Sequence, residues 1–364
     1  MPPKTEAAAD PIEIDGSLGE GGGQIIRTSV SLSAITGRPV QIANIRARRS
    51  KPGLQAQHLT AVRAAAALCD AVLKGGEIGS QFLRFTPGPL TAQDTFAFDV
   101  GTAGAAGLVA QTLLAPMLFL PKRPGGQGVT VTVRGGTHVP MAPPADYVEA
   151  VYRPILQQMG ADVSFKMTRA GFFPKGGGDI ELRCGEGRLT VPIDRTDRGR
   201  MQRLRLFIVT CQLPEHVATR GVDTLMKDLK GYGVPVLVEK RALEGGCPGA
   251  AIVLVAECEN GGGGWTSLGE RGKPMERVAA EALRDFQKWI AGSAAVDEHL
   301  ADQLVLPCAL VRGESKWSTP AITDHLRTVL EVAQRFLPIT YSIEERGDGA
   351  GVVTLQGAGY RPRS

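Results

Sequence analysis

The chain has 364 residues, 43% hydrophobic and 21% charged, which is globular composition with a sizeable core and about two to three folding units. A net charge of +4 and an aromatic content of 5% exclude a uniformly polycationic nucleic-acid binder and a base-stacking platform as the main binding device. The six cysteines contain no CxxC pair, no Cys/His group has zinc spacing, and no apolar run is long enough to span a bilayer. The expectation is a membrane-free protein with reduced thiols, cytoplasmic, or nuclear in a eukaryotic source.

Residues 1–10 are polar and proline-containing and read as a disordered tail. From residue 11 a strand–helix–strand–helix–strand–strand pattern recurs. Its first pass has helices near 20–36 and 55–73, with strands near 38–46, 82–86 and 94–100. The second has helices near 104–119 and 145–159, with strands near 129–134, 162–168 and 179–183. The third has helices near 297–310 and 321–337, then strands near 339–344 and 351–356. Residues 193–291 do not fit the repeat. They carry strands at Leu204–Val209, Val236–Val238 and Ala251–Ala256, and helical runs near 219–231 and 274–290. Glycine-rich breaks interrupt them, notably Gly261–Gly264. The reading is an α/β (α+β) fold: a large domain of three repeated βαβαββ units over 11–192 and 292–364, with a smaller α/β domain inserted at 193–291.

The densest motif is Gly19-Glu20-Gly21-Gly22-Gly23-Gln24, between a short strand (Ile12, Ile14) and an amphipathic run (Ile25, Ile26, Val30, Leu32, Ile35). Glycines there let backbone N–H groups approach a phosphate. A carboxylate among them would repel that phosphate, so one reading is a divalent metal shared between Glu20 and a nucleotide. The other is an acid complementing a helix dipole. Arg46, Arg48, Arg49 and Lys51 stand just before a helix beginning near Leu54. This is either a phosphate-gripping loop or a solvated charged one, and Arg27, one turn into the first helix, could share the same site.

Of the five histidines, His325 is the one placed for chemistry. Thr319-Pro320 reads as an N-cap and a first-turn proline, with an apolar stripe at Leu326, Val329, Leu330, Ala333, Phe336 and Leu337. At that helix start the dipole field favours a neutral, nucleophilic ring and attracts phosphate. A structural histidine is the alternative. Asp302-Gln303, placed at the start of the helix before it, is either an ordinary helix-start acid or a group orienting a histidine or a ribose. No Walker A sequence exists, since Gly269–Lys273 is followed by Pro274, and there is no GxSxG elbow.

Taken together, IDGSLGEGGGQIIR, IRARRSKPGLQAQHLTAV, GTAGAAGLVAQT, APPADY, GFFPKGGG, LADQLVLP and HLRT followed by RFLP resemble the RNA 3′-terminal phosphate cyclase family over about 11–360. The resemblance implies ATP, a divalent metal (Mg2+ or Mn2+) and an RNA with a 3′-terminal phosphate. A histidine would take AMP from ATP, pass it to the RNA 3′-phosphate, and leave the 2′-OH to close a 2′,3′-cyclic phosphate. Carried over by position, it makes His325 the nucleophile, with Thr328 retained, and Glu20 the metal and ATP-site acid. It places Gln57, Gln111, His299, Asp302 and Gln303 around the nucleotide, and Arg27, Arg46 and Arg49 on substrate phosphate. Three positions depart from the family pattern: His299 stands for a tyrosine, His138 for the Asp of GGTD, and Val329 for the Asn after Thr328. The competing readings are a non-catalytic cyclase-like ribosome-assembly protein and an enolpyruvyl-type transferase of similar architecture. Oligomeric state stays open, a homodimer included.

Overall fold

In the computed structural model, which describes residues 10–121, 128–347 and 349–361, each repeat begins with a parallel strand pair bridged by a helix. The expected tail, apart from Asp10, lies outside the described residues. In the first repeat β1 (Ile12–Asp15) leads through the glycine block to α1 (Gly23–Thr36) and back to β2 (Val40–Ala43). Then come α2 (Ala56–Leu68), β3 (Val72–Lys74) and β4 (Leu83–Thr86). The second repeat runs β5 (Thr95–Asp99), α3 (Ala106–Met117), β6 (Val129–Gly135), α4 (Ala145–Tyr147), a π-helical turn (Val148–Tyr152), α5 (Arg153–Gln158), β7 (Val163–Arg169) and β8 (Gly178–Cys184). The third opens with β9 (Asp194–Arg195).

The insertion follows β9 directly. It comprises β10 (Met201–Cys211), α6 (Glu215–Leu229), β11 (Val236–Leu243), β12 (Gly249–Cys258), β13 (Gly262–Leu268) and α7 (Met275–Ala291). The third repeat then resumes with α8 (Glu298–Gln303), α9 (Val305–Leu310), β14 (Arg312–Thr319), α10 (Asp324–Phe336), β15 (Thr340–Glu345) and β16 (Gly351–Ala358). Strand orders β1-β2-β4-β3, β5-β6-β8-β7 and β9-β14-β16-β15 are the same pattern three times. Each begins with a parallel pair followed by antiparallel ones.

The periodicity reading missed β3, β9, β13 and β14. β9 is two residues long. β14 buries Ser315, Ser318 and Thr319 beside Trp317, so its inward face is polar and gives no apolar alternation. Because β9 pairs in parallel with β14, the third repeat begins before the insertion, a few residues inside the stretch read as inserted. The glycine run read as a break is part of β13. A Cβ on Gly263 would fall 2.8 Å from Asp297, and one on Gly264 2.7 Å from the Tyr147 ring, so glycine there permits a close approach rather than a turn.

α1 is buried along most of its length, and Ser31 donates from its hydroxyl to the Thr112 carbonyl of α3 at 2.6 Å. It ends at Gly37, whose φ of 69° and N–H bond to Ser33 close the last turn. The insertion sheet, ordered β11-β10-β12-β13, is apolar on both faces. Leu204, Leu206 and Ile208 face a core shared with α6 and α7, whereas Phe207 belongs to the core of the repeats. Val209 and Cys211 pack with Ala170 and Phe172. Two buried faces explain the unbroken apolar run in β10. One hydroxyl holds the two ends of the excursion: Ser318 donates to the Thr196 carbonyl at 2.9 Å and accepts from the Ala295 N–H at 2.8 Å. Among the described residues no helix is long and apolar enough to cross a membrane.

Candidate active site

His325 lies in the first turn of α10, but the cap is Thr323 rather than Thr319. The Thr323 hydroxyl accepts from the Leu326 N–H at 3.1 Å, while Thr319 is buried at the end of β14 and donates to Ala321. The ring Nε2 stands 3.1 Å from Glu20 Oε2, and Nδ1 stands 3.6 Å from Asp302 Oδ2. Glu20 is in turn held by Arg49 at 2.9 Å. A histidine, two carboxylates and a guanidinium, spread over more than 300 residues of chain, therefore meet at the junction of the first and third repeats.

The electrostatics of the ring run opposite to the helix-dipole expectation. The bond to Asp302, then the charges of Asp302 and Glu20, outweigh partial burial and raise the His325 pKa above its ordinary value. Partial burial works against the Glu20 charge, but Arg49 and His325 overcome it and hold that carboxyl below its usual range. Asp302 sits in the last turn of α8, so the helix-start role belongs to Asp297. Asp297 is buried and accepts from the N–H groups of His299 and Leu300, both at 2.9 Å. It also accepts from the Gly264 N–H of β13 at 3.0 Å and from the Tyr147 hydroxyl at 2.9 Å. Burial raises its pKa despite these donors. The insertion thereby touches the helix that carries Asp302.

The remaining sequence candidates fall into two groups. Gln111 donates to Gln303 at 2.9 Å, and Gln303 donates to the His299 carbonyl at 2.8 Å. Gln57 accepts from the Ala105 N–H at 2.8 Å. The His299 ring lies outside these contacts, exposed and 3.7 Å from Glu298. Arg27 feels the charge of Asp302, but burial dominates and brings it down to about 10. Arg46, in the left-handed region at φ 54°, bonds the Lys51 carbonyl through Nη2. The Nε atoms of Arg46 and Arg49 and the Nε2 of Gln24 are buried without a hydrogen-bond partner. A cavity of about 90 Å³ opens among Gln24, Arg27, Gln111, Asp302 and Gln303.

Two residues at the site were not singled out as site residues from the sequence. Gln24 closes the glycine motif yet had no role. His58 directly follows Gln57 and is buried. Its Nδ1 accepts the Gln55 N–H at 3.2 Å, completing a capping box at the start of α2. Burial, then the charges of Arg27 and Arg46, push it down to about 3. No spacing rule announces such a residue, because its character comes from arginines supplied by α1 and by the loop after β2.

Such an arrangement can bind several phosphoryl oxygens and present a ring nitrogen to phosphorus. Comparison with known proteins gives the family. A model of the family described as RNA 3′-terminal phosphate cyclase matches residues 18–343. An RNA 3′-terminal phosphate cyclase of Methylococcus capsulatus is 43% identical over 355 residues, covering 95% of this chain and 96% of the relative. One from Nostoc punctiforme is 43% identical, covering 89% of this chain and 94% of the relative. One from Pyrobaculum aerophilum is 41% identical, covering 96% and 99%. The chain belongs to the RNA 3′-terminal phosphate cyclase family.

Proposed function

We propose that this enzyme cyclises RNA 3′-phosphate ends at the expense of ATP, through a covalent adduct on His325. The observation that carries the reading is His325 itself, at a helix start between two carboxylates and beside arginines whose donors are unspent. Nε2 faces Glu20 at 3.1 Å and Nδ1 faces Asp302 at 3.6 Å, so both carboxylates favour the protonated ring. Attack requires Nε2 to give up its proton, with Glu20 placed to take it, and Asp302 then holds the remaining proton on Nδ1. Nε2 forms a bond to the α-phosphorus of ATP as the bond to the β-phosphate oxygen breaks and diphosphate leaves. An oxygen of the RNA 3′-phosphate then displaces the imidazole from that phosphorus. Last, the 2′-oxygen attacks the RNA phosphorus, its proton passes to solvent, and AMP departs.

Arg27, Arg46 and Arg49 hold phosphate charge through these steps. Glu20, ionised and acceptor-only, fits a small hard divalent cation. Among the described residues no group of three His, Cys, Asp or Glu is placed to hold one, so substrate oxygens and water would complete its shell. The ion would neutralise phosphate charge. Gln111, Gln303 and His299 lie on the nucleoside side in this reading. A reducing compartment, cytoplasmic or nuclear, belongs to the same reading.

The test is to incubate the protein with ATP and Mg2+ or Mn2+, measure intact mass, and map the adduct. One AMP on His325, absent from His325→Ala, is the expected result. An unmodified protein that still cyclises RNA would overturn the histidine step. A protein that neither binds ATP nor cyclises RNA would point to the assembly-factor or transferase reading.

A further inference from the structure

Two loops of the second repeat, residues 137–143 and 171–177, carry Met141 and Phe173, 93% and 68% exposed. These are the two most exposed large apolar side chains among the described residues. A single exposed apolar side chain is ordinary, but these two are held outward by backbone that is fixed on either side. Phe172 is buried with its ring stacked on His138 at 4.9 Å. Its carbonyl accepts from the Gly176 N–H at 2.7 Å and from the Cys247 thiol at 3.4 Å, so Phe173 stands on a turn pinned at both ends. Met141 adopts φ 62°, a left-handed conformation that a residue with a Cβ keeps only where its surroundings impose it. Val139 and Ala142, on either side of it, pack on Ala105 and Leu108 at the start of α3. His138 and Phe172 form a parallel bridge, so the two loops run side by side.

This face adjoins the arginine loop. Ala105 gives its N–H to Gln57 at 2.8 Å, and Gln57 lies in the first turn of α2, just after Arg46, Arg49 and Lys51. Gly176 closes on the same segment from the other loop: its φ is 66°, and a Cβ there would fall 2.7 Å from the Ala103 Cα. Residues 101–106, 137–143 and 171–177 include no Asp, Glu or Arg and a single lysine, Lys175, which is exposed. We propose that Phe173, Met141 and Lys175 form a platform for the RNA strand: a nucleobase upstream of the 3′-phosphate stacks on Phe173 against Met141, and Lys175 takes a backbone phosphate beside it. Every base has a π-face, so one ring can fix a single strand without reading its sequence, and a thioether adds a soft contact at the edge of an aromatic system. An apolar pair, one cation and no carboxylate suit a polyanion that carries aromatic groups. The inserted domain backs the turn, through the Cys247 thiol and through the Glu244 carbonyl, which accepts from the Ala170 N–H at 2.9 Å. The platform rests on the RNA reading proposed above and is independent of the adduct.

Three variants test it. Phe173→Ala removes an exposed ring, Phe173→Tyr keeps one, and Met141→Gly removes the side chain where glycine accepts the backbone. The probe is a 3′-phosphorylated RNA of about eight nucleotides with 2-aminopurine placed in turn at each upstream position, so that fluorescence reads affinity and stacking together. A nucleoside 3′,5′-bisphosphate, titrated in competition, reads the phosphate site alone. In the parent the emission should be quenched at one position. Phe173→Ala is expected to weaken the oligomer about tenfold and to relieve that quenching, with the bisphosphate shifted less than about twofold. Phe173→Tyr should restore both readings, and Met141→Gly should weaken the oligomer about threefold. Unchanged oligomer affinity and quenching in Phe173→Ala would overturn the platform, as would equal weakening of oligomer and bisphosphate. Loss of a dimer in sedimentation, with oligomer affinity intact, would overturn it and give the face to a second copy of the chain. Oligomer binding that depends on Phe173 in a protein forming no AMP adduct keeps the platform and removes the histidine step. A parent that binds neither probe overturns the platform and the RNA reading together.

Discussion

His138 and His325 head two polar clusters that differ in one respect, and that respect separates structure from chemistry. Around His138 every group is satisfied. Its Nδ1 is 2.9 Å from the Thr137 hydroxyl, its Nε2 is 2.8 Å from Asp146, and its ring stacks on Phe172 at 4.9 Å. The other Asp146 oxygen accepts from Arg241 at 2.6 Å, and Arg241 reaches Glu149 and Glu239 as well. Both His138 and Asp146 have fully buried side chains. Around His325 the ring is 40% exposed, its carboxylate contacts are longer, and neighbouring donors lack partners. A saturated cluster has nothing left to offer a ligand, and its bonds go into fixing the insertion against the second repeat. An unsaturated one keeps donors that a ligand could engage.

The contrast breaks if function and stability fail to separate. His325→Ala should cut AMP incorporation at least about a thousandfold and leave the thermal midpoint within about 2 °C; a large fall in midpoint would make His325 a structural residue. Asp146→Asn should do the reverse. Weakening a buried charge partner of Arg241 costs about 3 kcal/mol, read as a lower midpoint, while AMP uptake per folded molecule changes less than about twofold.

The sign of the pH dependence sharpens the same comparison. Burial opposes ionisation of Asp146, but the His138 bond and the Arg241 charge outweigh it and lower its pKa. Its stabilisation is therefore complete above the unfolded carboxyl value of about 4 and is lost as pH falls through the lower folded value. The midpoint gap between parent and Asp146→Asn should stay flat above about pH 5 and close in acid; a gap that opened on acidification would refute the assignment. The smallest effect belongs to Tyr147→Phe. Asp297 keeps three N–H donors, so the loss should be about 1 kcal/mol, measured as a slight drop in the same midpoint.

Much of the repeat was readable because α1, α2 and α3, with β6 and β8, carry apolar periodicity, and because the glycine block marks where β1 stops. β14 was not, since its buried serines and threonine mimic a polar loop. β13 was not, since its glycines exist to admit Asp297 and Tyr147, which no local pattern shows. At the site, Glu20, Asp302 and His325 stood out as chemistry-bearing types, and the structure brings them together. The cap was misplaced by four residues because Thr319-Pro320 has the right letters while Thr323 has the right neighbours. The direction of the His325 shift was misread because a helix field is local, whereas Asp302 and Glu20 come from remote parts of the chain. His58 shows the limit most plainly: its proton position follows from one backbone bond.

Ser318 grips both ends of the insertion with a single hydroxyl. The chain thus leaves the third repeat and returns to it at nearly the same point, and the closure entropy of what lies between grows only with the logarithm of its length. In the lineage of such proteins the excursion is therefore free to lengthen, shrink or be exchanged, provided that the strand before Thr196 and the helix after Ala295 still find one another.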